Sequence, residues 1–240
     1  MLFSNTPVLT IYADCLKGYH EDTLLGMGKE ERIMASLTWL GHAAFMLETG
    51  GYKILVDPFI TGNPAASFKP DDSRTDFILI THGHGDHVGD ALKIAEKTGA
   101  VIISNDEICR WFEKKGLKVH GQHLGGGFHH PFGYVKMTFA LHGSALPDGS
   151  CGGNPGGFLI TLKENGKRIY LAGDTGLFGD MRLIGEEGVD IAALPIGDNY
   201  TMGPEDALRA VKLIQPGLVI PIHYNTFPLL QQDPIAWGKE

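Results

Sequence analysis

The sequence Thr81-His82-Gly83-His84-Gly85-Asp86-His87 follows the apolar run Phe77–Ile80, which predicts a short buried strand ending at this motif. Because a strand end presents alternate residues to one side, His82 and His84 are expected to converge. Gly83 and Gly85 permit a tight turn that brings Asp86 and His87 back toward the same point. Imidazole and carboxylate groups are ligands of Zn²⁺ and similar metals. A tetrahedral ion takes four ligands, so these four side chains are too many for one ion if other segments also supply ligands. The motif therefore predicts two adjacent divalent ions.

Three further ligand-type residues stand just beyond predicted apolar strands. They are His142 after Tyr134–Leu141, Asp174 after Arg168–Ala172, and His223 after Val219–Ile222. Open α/β sheets place their binding sites at such strand ends, so all three are candidate metal ligands. Taken singly, each is equally well explained as a loop residue, and only the neighbouring histidine motif favours the metal role.

The flanking sequence alternates strand and helix signals. A strand is predicted over Leu37–Leu47, and two glycines, Gly50-Gly51, turn it into a second strand over Lys53–Asp57. Asn165-Gly166 is the signal of another hairpin. Helical spacing covers Val88–Lys97, Glu107–Lys115 and the segment from Pro204 to Gln215. Strands that form hairpins and also alternate with helices indicate a mixed α/β chain with two sheets and helices outside.

The composition disfavours several classes of protein. The 240 residues include 20 basic and 28 acidic side chains, a net charge of −8 that argues against binding to nucleic-acid phosphates. No stretch approaches the roughly 18 apolar residues of a membrane span, and the N-terminus lacks the basic region of a signal peptide. Cys15, Cys109 and Cys151 are too scattered for a disulfide framework, which favours a cytoplasmic protein.

Six segments together resemble the metallo-β-lactamase superfamily, and within it the small metal-dependent hydrolases akin to ascorbate-6-phosphate lactonases. They are WLGHAAF (residues 39–45), VDPF (56–59), THGHGDHVGD (81–90), AGDTGLFGDM (172–181), PIGDNYTMGPEDA (195–207) and PIHYNTFP (221–228). The resemblance covers about residues 36–234 and implies an α/β fold, a four-layer αββα sandwich. It implies that one metal ion is held by His82, His84 and His142, and the other by Asp86, His87 and His223. Asp174 would bridge the two ions.

The two ends of the chain depart from that pattern. Residues 1–35 are expected to form an N-terminal extension, with Met34 as a candidate start and an ordered arm packed on the domain as the alternative. The metallo-hydrolase domain is expected over residues 36–240. Relatives usually continue past Gln232-Asp233-Pro234 with a further helix and strand, which we expect this domain to lack.

The expected reaction is attack by a hydroxide shared between two ions on a small ester, lactone or phosphoester. Asp86 is the expected catalytic residue, since a liganding carboxylate there would also orient the attacking water. Zn²⁺ is the metal most expected, because the donors are imidazole and carboxylate without thiolate, although Mn²⁺, Ni²⁺ and Fe suit the same donors.

Five other residues are candidates for substrate binding or for support of the ligands. His42 is expected near the substrate, with an ordinary strand histidine as the alternative. Asp57 is expected to hold a ligating histidine, with a turn carboxylate as the alternative. Asp198, Asn199 and Tyr200 are expected either to line the pocket or to cap the helix that follows.

Two other activities on the same fold are alternatives to this hydrolase. One is a nuclease or phosphodiesterase acting on nucleic acid, a class that carries basic exosite loops or a large inserted domain. The other is a diiron oxidoreductase, a class that has Glu in the place of His84 and pairs with a flavin domain. We therefore expect a small-molecule substrate and no nucleic-acid or membrane partner, and a homo-oligomer stays open.

Overall fold

A computed structural model describes residues 8–11, 35–66 and 74–240 of the chain. The strands are Val8–Ile11 (β1), Ala35–Gly41 (β2), Ala44–Thr49 (β3), Tyr52–Val56 (β4), Phe77–Leu79 (β5), Val101–Asn105 (β6), Val119–Gln122 (β7), Gly127–His130 (β8), Gly133–Phe139 (β9), Gly156–Leu162 (β10), Arg168–Leu171 (β11), Ile191–Pro195 (β12) and Leu218–Ile222 (β13). The helices are Gly85–Val88 (α1), Ala91–Thr98 (α2), Asp106–Glu113 (α3), Met181–Glu186 (α4), Pro204–Ile214 (α5) and Pro234–Trp237 (α6).

The strands form two mixed sheets. The first contains seven strands in chain order from β1 to β7, antiparallel as far as β4 and parallel from β4 to β7. The second contains six strands in the order β13-β12-β11-β10-β9-β8, with β11 to β13 parallel and β8 to β11 antiparallel. Parallel strands joined through helices and antiparallel strands joined by hairpins therefore occur in both halves, as the sequence pattern predicts.

The sheets pack face to face with helices on both outer surfaces. Side chains such as Phe158 fill the space between the sheets. Helices α2 and α3 bury Ile94 and Phe112 against the outer face of the first sheet. Helices α4 and α5 bury Ile184 and Ile214 against the outer face of the second. The predicted four-layer αββα sandwich is confirmed.

Two of the predicted elements are wrong at their boundaries, in both cases where the backbone turns left-handed. The strand predicted over Leu37–Leu47 is split, because Gly41 (φ 98°) and His42 (φ 56°) form a turn between β2 and β3. The helix predicted over Val88–Lys97 begins at Ala91, because Gly89 (φ 43°) separates α1 from α2. The patterns also fail to predict the short elements β7, α4 and α6. The hairpin at Asn165-Gly166 is confirmed between β10 and β11.

Part of the predicted N-terminal extension belongs to the first sheet. Strand β1 pairs antiparallel with β2, with Val8 opposite Thr38 and Ile11 opposite Ala35. The rest of that extension, including Met34, lies outside the described residues, and its boundary with the domain stays a prediction. Near the other end, α6 buries Trp237. No helix in the described ranges is long and apolar enough to cross a membrane.

The topology brings the carboxyl ends of several strands to one edge of the sandwich. In the first sheet, β2, β4 and β5 run in the same direction, and in the second sheet β9, β11 and β13 do so. The residues just after these six strands include every candidate ligand named from the sequence. The fold therefore positions them on both sides of one cleft between the sheets.

Candidate metal centre

His82, His84 and His142 bring their ring nitrogens together after β5 and β9. His84 Nδ1 lies 3.0 Å from His82 Nε2 and 3.3 Å from His142 Nε2. Two nitrogens on one tetrahedral Zn²⁺, each about 2.0–2.1 Å from the ion, are about 3.3 Å apart, so the spacing fits. Burial lowers the pKa of both His82 and His142. Both rings are therefore neutral near pH 7, the form that binds a metal.

Asp86, His87 and His223 form a second group on the other side of the cleft. One ligand atom from each lies within 4.8 Å of the others, and a ring nitrogen of His42 falls within the same limit. His223 Nε2 is 3.8 Å from Asp86 Oδ2. Helix α1 carries Asp86 and His87 on one turn, which is how the glycines of the motif bring them back toward the histidines.

Asp174 lies between these two groups. Its Oδ1 is 3.2 Å from His87 Nε2, and its Oδ2 is 2.9 Å from His223 Nε2 and 3.5 Å from His142 Nε2. Gly173 (φ 62°) precedes it, and a Cβ there would lie 2.8 Å from the Thr81 side chain. The glycine therefore lets the carboxylate approach both groups, which is the placement that the resemblance implied for a bridging ligand.

Behind the second group, Asp57 holds the ring of His87. Asp57 Oδ2 is 2.8 Å from His87 Nδ1 and accepts a hydrogen bond of 2.6 Å from Thr81 Oγ1, while Oδ1 accepts from the Thr81 amide at 2.8 Å. A carboxylate on Nδ1 favours a proton there, which makes Nε2, the nitrogen that faces Asp174, the one available to a metal ion. Asp57 thus occupies the supporting position expected from the sequence.

The donor set fits a bound cation. His87 Nε2, Asp174 Oδ1 and both ring nitrogens of His223 are buried without a hydrogen-bond partner among the described residues. These atoms lie close to one another in the cleft, which is the arrangement that a bound cation would satisfy. Each buried polar atom without a partner costs about 1–3 kcal/mol, and a metal ion removes that cost for several at once.

The electrostatics of the second group also call for positive charge. Burial alone would lower the pKa of His87, but attraction to Asp174 and Asp57 raises it well above its usual value. Burial would likewise lower the pKa of His223, but Asp174 and Asp86 raise it to about 9. The pKa of Asp174 is held well below its usual range, because His87 and His223 outweigh the effect of its burial. The carboxylates are thus ionised and need either protons on the histidines or a divalent cation.

His42 lies beneath the cleft and is completely buried. Its Nε2 is 3.1 Å from Asp86 Oδ2, and its Nδ1 is 2.9 Å from Thr226 Oγ1. Asp86 and His223 line the cavity over the two groups and His42 does not, so the substrate contact expected for His42 stays a prediction. The sequence interpretation missed Thr226, although its segment was among those that carry the family resemblance.

A cavity of about 360 Å³ opens over the two groups. Besides the candidate ligands, its wall includes Gly85, Tyr200 and Phe227. Tyr200 thus lies on the cavity wall, where its role toward a substrate stays a prediction, and Phe227 was not predicted. Asp198 and Asn199 neither line the cavity nor cap α5, whose first turn has no side-chain cap. Both have left-handed backbones (φ 63° and 53°), and Asp198 Oδ1 accepts a bond from the Asn199 amide inside their own turn.

Comparison with known proteins gives one consistent result. Residues 52–224 match the family described as "Beta-lactamase superfamily domain". A UPF0173 metal-dependent hydrolase of Heliobacterium modesticaldum is 50% identical over 214 residues, covering 86% of this chain and 89% of the relative. One of Thermus thermophilus is 50% identical over 206 residues, covering 86% and 91%. The solved structure of Igni18, described as a novel metallo hydrolase from the archaeon Ignicoccus hospitalis, gives a TM-score of 0.78 at 40% identity, covering 85% of this chain and 89% of that one.

Proposed function

The chain belongs to the metallo-β-lactamase superfamily, within its UPF0173 metal-dependent hydrolases, and from that premise we propose a two-metal hydrolase of small uncharged esters or lactones. The observation that carries the proposal is the position of Asp174. One carboxylate approaches His142 on one side of the cleft and both His87 and His223 on the other. A single ion does not need a carboxylate placed between two complete donor groups, whereas two neighbouring ions do.

Two divalent ions would be held by the groups already described, with Zn²⁺ favoured because all donors are imidazole or carboxylate. When bound, such ions polarise a carbonyl group and lower the pKa of water toward neutrality. His82, His84 and His142 would hold one ion, Asp86, His87 and His223 the other, and Asp174 both. Asp57 and Thr81 keep the rings of His87 and His82 oriented from behind.

Asp86 is the residue we assign to the attacking water. Both ligand carboxylates, Asp86 and Asp174, line the cavity, but the side chain of Asp86 is 26% exposed and that of Asp174 only 3%. Burial would raise the pKa of Asp86, but contacts with His223 and His42 hold it far below its usual value. An ionised carboxylate exposed to the cavity can accept a hydrogen bond from the attacking water, which is the orienting role that we assign to Asp86.

The cavity wall favours an uncharged substrate with an apolar part. Tyr200 and Phe227 contribute aromatic surface, and Phe227 stacks on Phe59 with ring centroids 6.2 Å apart. No Lys or Arg lines this cavity within the described part of the chain, so apart from the proposed metal ions the wall offers no cationic side chain to a phosphate group. The motif resemblance to ascorbate-6-phosphate lactonases supports a lactone, and the aromatic side chains of the wall favour one without a charged group.

The same observations weigh against the alternatives. The net charge of the chain is −8, which disfavours binding to the phosphates of a nucleic acid. Among the described residues, no Lys or Arg side chain lines the cavity. Diiron oxidoreductases of this fold have a carboxylate at the position of His84, and this chain has a histidine there. We infer a small-molecule substrate and a cytoplasmic location, the latter from the scattered cysteines, with no membrane partner. The oligomeric state stays open.

The test combines metal analysis with a substrate panel. Elemental analysis of protein grown in metal-replete medium should find two equivalents of metal, and removal by a chelator should abolish hydrolysis until metal is restored. The panel contains lactones, carboxylic esters, thioesters and phosphodiesters, and uncharged lactones or esters should be the best substrates. His84→Ala and Asp86→Ala should lower kcat/KM by about 10³-fold or more, as loss of a reacting-centre group does.

His129→Ala is the matched control, because His129 is an exposed histidine on β8 that lies outside the cleft. It should retain activity and metal. Protein that binds no metal and hydrolyses nothing in the panel contradicts the proposal. Full activity in His84→Ala or Asp86→Ala would show that the site assignment is wrong even if the protein is a hydrolase. A preference for phosphodiesters would overturn only the substrate class.

A further inference from the structure

His42 occupies a position that an ordinary strand histidine does not need. It interrupts β2 and β3 with a left-handed backbone (φ 56°), and its side chain is fully buried beside Asp86. Its carbonyl oxygen accepts hydrogen bonds of 3.0 Å from Trp39 Nε1 and from the His223 amide. The backbone of His42 is thus fixed to the residue that carries one of the candidate ligands.

The ring of His42 is held as the rings of two candidate ligands are held. His87 places Nδ1 on Asp57 Oδ2 at 2.8 Å, and His82 places Nδ1 on Thr81 Oγ1 at 3.0 Å. His42 places Nδ1 on Thr226 Oγ1 at 2.9 Å. In each case an oxygen lies at hydrogen-bond distance from Nδ1 and Nε2 faces the cluster. Metal-bound histidines typically have one ring nitrogen on the metal and the other held by a hydrogen bond in this way.

Thr81 and Thr226 each donate their single hydroxyl proton to another group, which leaves the hydroxyl oxygen free to accept a hydrogen bond from the neighbouring histidine. Thr81 Oγ1 donates to Asp57, so it accepts from His82 Nδ1. Thr226 Oγ1 donates to the Tyr224 carbonyl at 3.3 Å, so it accepts from His42 Nδ1. A proton on Nε2 would make its 3.1 Å contact with Asp86 Oδ2 a hydrogen bond, whereas a proton on Nδ1 turns the Nε2 lone pair toward that oxygen. Two acceptors at that distance repel each other unless a cation binds both.

We propose that His42 is itself a metal ligand, donating Nε2 to the position formed by Asp86, His87 and His223. This inference rests on the proposed two-metal function and adds to it a difference between the two positions. One position has three side chains of its own, and the other has four, with Asp174 common to both. The richer position, which includes His42, therefore binds its ion more tightly and fills first.

The experiment follows metal binding rather than turnover. Wild-type protein is stripped with a chelator and titrated with Co²⁺, whose absorption spectrum reports the number and type of donors. Two binding steps of unequal affinity are expected. In His42→Gln, the Co²⁺ affinity of the tighter step should fall by about tenfold or more, and the spectrum of that step should change. Loss of a residue that only supports a ligand already lowers metal affinity by about 10–100-fold. The weaker step should keep its affinity and its spectrum.

His130→Gln is the matched control, because His130 is also buried but lies on β8, away from the cleft. It should leave both steps unchanged. A glutamine at position 42 can still donate a hydrogen bond to Asp86, so wild-type affinity and spectrum in His42→Gln would mean that His42 only orients Asp86, and would overturn the proposal. Circular dichroism of each variant confirms that it has folded.

A second measurement uses the wild-type chain and does not depend on any variant folding. Two-bond ¹H–¹⁵N correlation spectra of the Zn²⁺-loaded protein distinguish a histidine with its proton on Nδ1 from one with its proton on Nε2. The proposal requires the Nδ1 proton on His42, and an Nε2 proton refutes it. Wild-type protein that binds no metal at all contradicts the proposed function instead, so the two failures are distinct.

Discussion

Asp57→Asn is the substitution that best tests whether a residue that holds a candidate ligand, here His87, contributes to metal binding. The change keeps the shape of the side chain and removes its charge. Asp57 accepts three hydrogen bonds, one from His87 Nδ1 and two from Thr81, and it is 1% exposed. An asparagine cannot accept at both oxygen positions, so either the Thr81 amide or the ring of His87 together with the Thr81 hydroxyl loses its acceptor.

Two effects of the lost charge oppose each other. Asp57 raises the pKa of His87, so the asparagine lets that ring release its proton more easily, which helps a metal to bind. The same carboxylate attracts the metal ion through the ring. Because the ion carries two charges and the proton one, the loss of attraction for the metal is the larger effect. Metal affinity should therefore fall, by about 10–100-fold as for other carboxylates behind a histidine ligand.

The loss can be read as a thermal shift. At free Zn²⁺ about 1,000 times the dissociation constant, one bound ion adds about 4.1 kcal/mol to the free energy of unfolding. A 10–100-fold weaker site retains about 2.7 to 1.4 kcal/mol of this. For a chain of this size each kcal/mol corresponds to about 2–4 °C, so the rise in Tm on adding Zn²⁺ should shrink by about 3–11 °C.

The assay is differential scanning calorimetry of chelated and Zn²⁺-loaded protein, which cancels any effect of the substitution on the chelated fold. Asp148→Asn is the control, because Asp148 also accepts three hydrogen bonds, from Trp111 and Ser150, on the surface. Its Zn²⁺-induced shift should equal that of the wild type. If Asp57→Asn gives the wild-type shift too, the ring of His87 is not held for a metal, and the reasoning from its Nδ1 partner fails.

Two other predictions concern the metal-free cleft and the approach of the bridging carboxylate. Without metal, the pKa of His223 is raised from 6.5 to about 9, so its contribution to stability is complete below pH 6.5 and is lost as the pH rises through 9. The Tm of chelated protein should therefore fall between pH 7 and 9. The Zn²⁺ affinity should rise over the same range, because metal binding displaces the proton of His223. A Tm that does not change over this range contradicts the assignment. Gly173→Ala should destabilise the protein by about 1–3 kcal/mol in urea unfolding and lower its metal content, since the new Cβ overlaps Thr81 in a left-handed backbone. Gly176→Ala, whose Cβ would have no neighbour nearer than 3.5 Å, should show neither effect, and equal losses in both would remove the steric argument.

The candidate site was largely predictable because its residues stand in the sequence where strands end. The strand before His82 is a short buried run, and the same signal precedes His142, Asp174 and His223. Strand direction then brings these ends to one edge of the sandwich, so a one-dimensional pattern predicts a three-dimensional cluster. The structure brings all seven predicted ligand residues together around the cleft.

Elements without such a signal were missed. Helix α4 covers only Met181–Glu186 and has a glycine inside it, and α6 covers only Pro234–Trp237, so neither is long enough to show a helical repeat. Phe227 reaches the cavity from a loop after β13, and loop side chains follow no periodic rule. The break between β2 and β3 was hidden because the alternation of apolar residues continues across it, and only the backbone of His42 shows the turn.

Backbone conformation bears on the two roles that the sequence left open. His42 was compatible with an ordinary strand histidine, and Asp57 with a turn carboxylate. Both, together with His223, are fully or almost fully buried and have left-handed backbones, with φ of 56°, 42° and 55°. Such a backbone costs a residue with a side chain about 1–3 kcal/mol, which glycine would largely avoid. A fold that needed only a turn would gain stability from glycine at each of these positions. Three strained, buried and polar side chains at one cleft are the arrangement expected if they serve the proposed metal centre, and turns alone do not account for them.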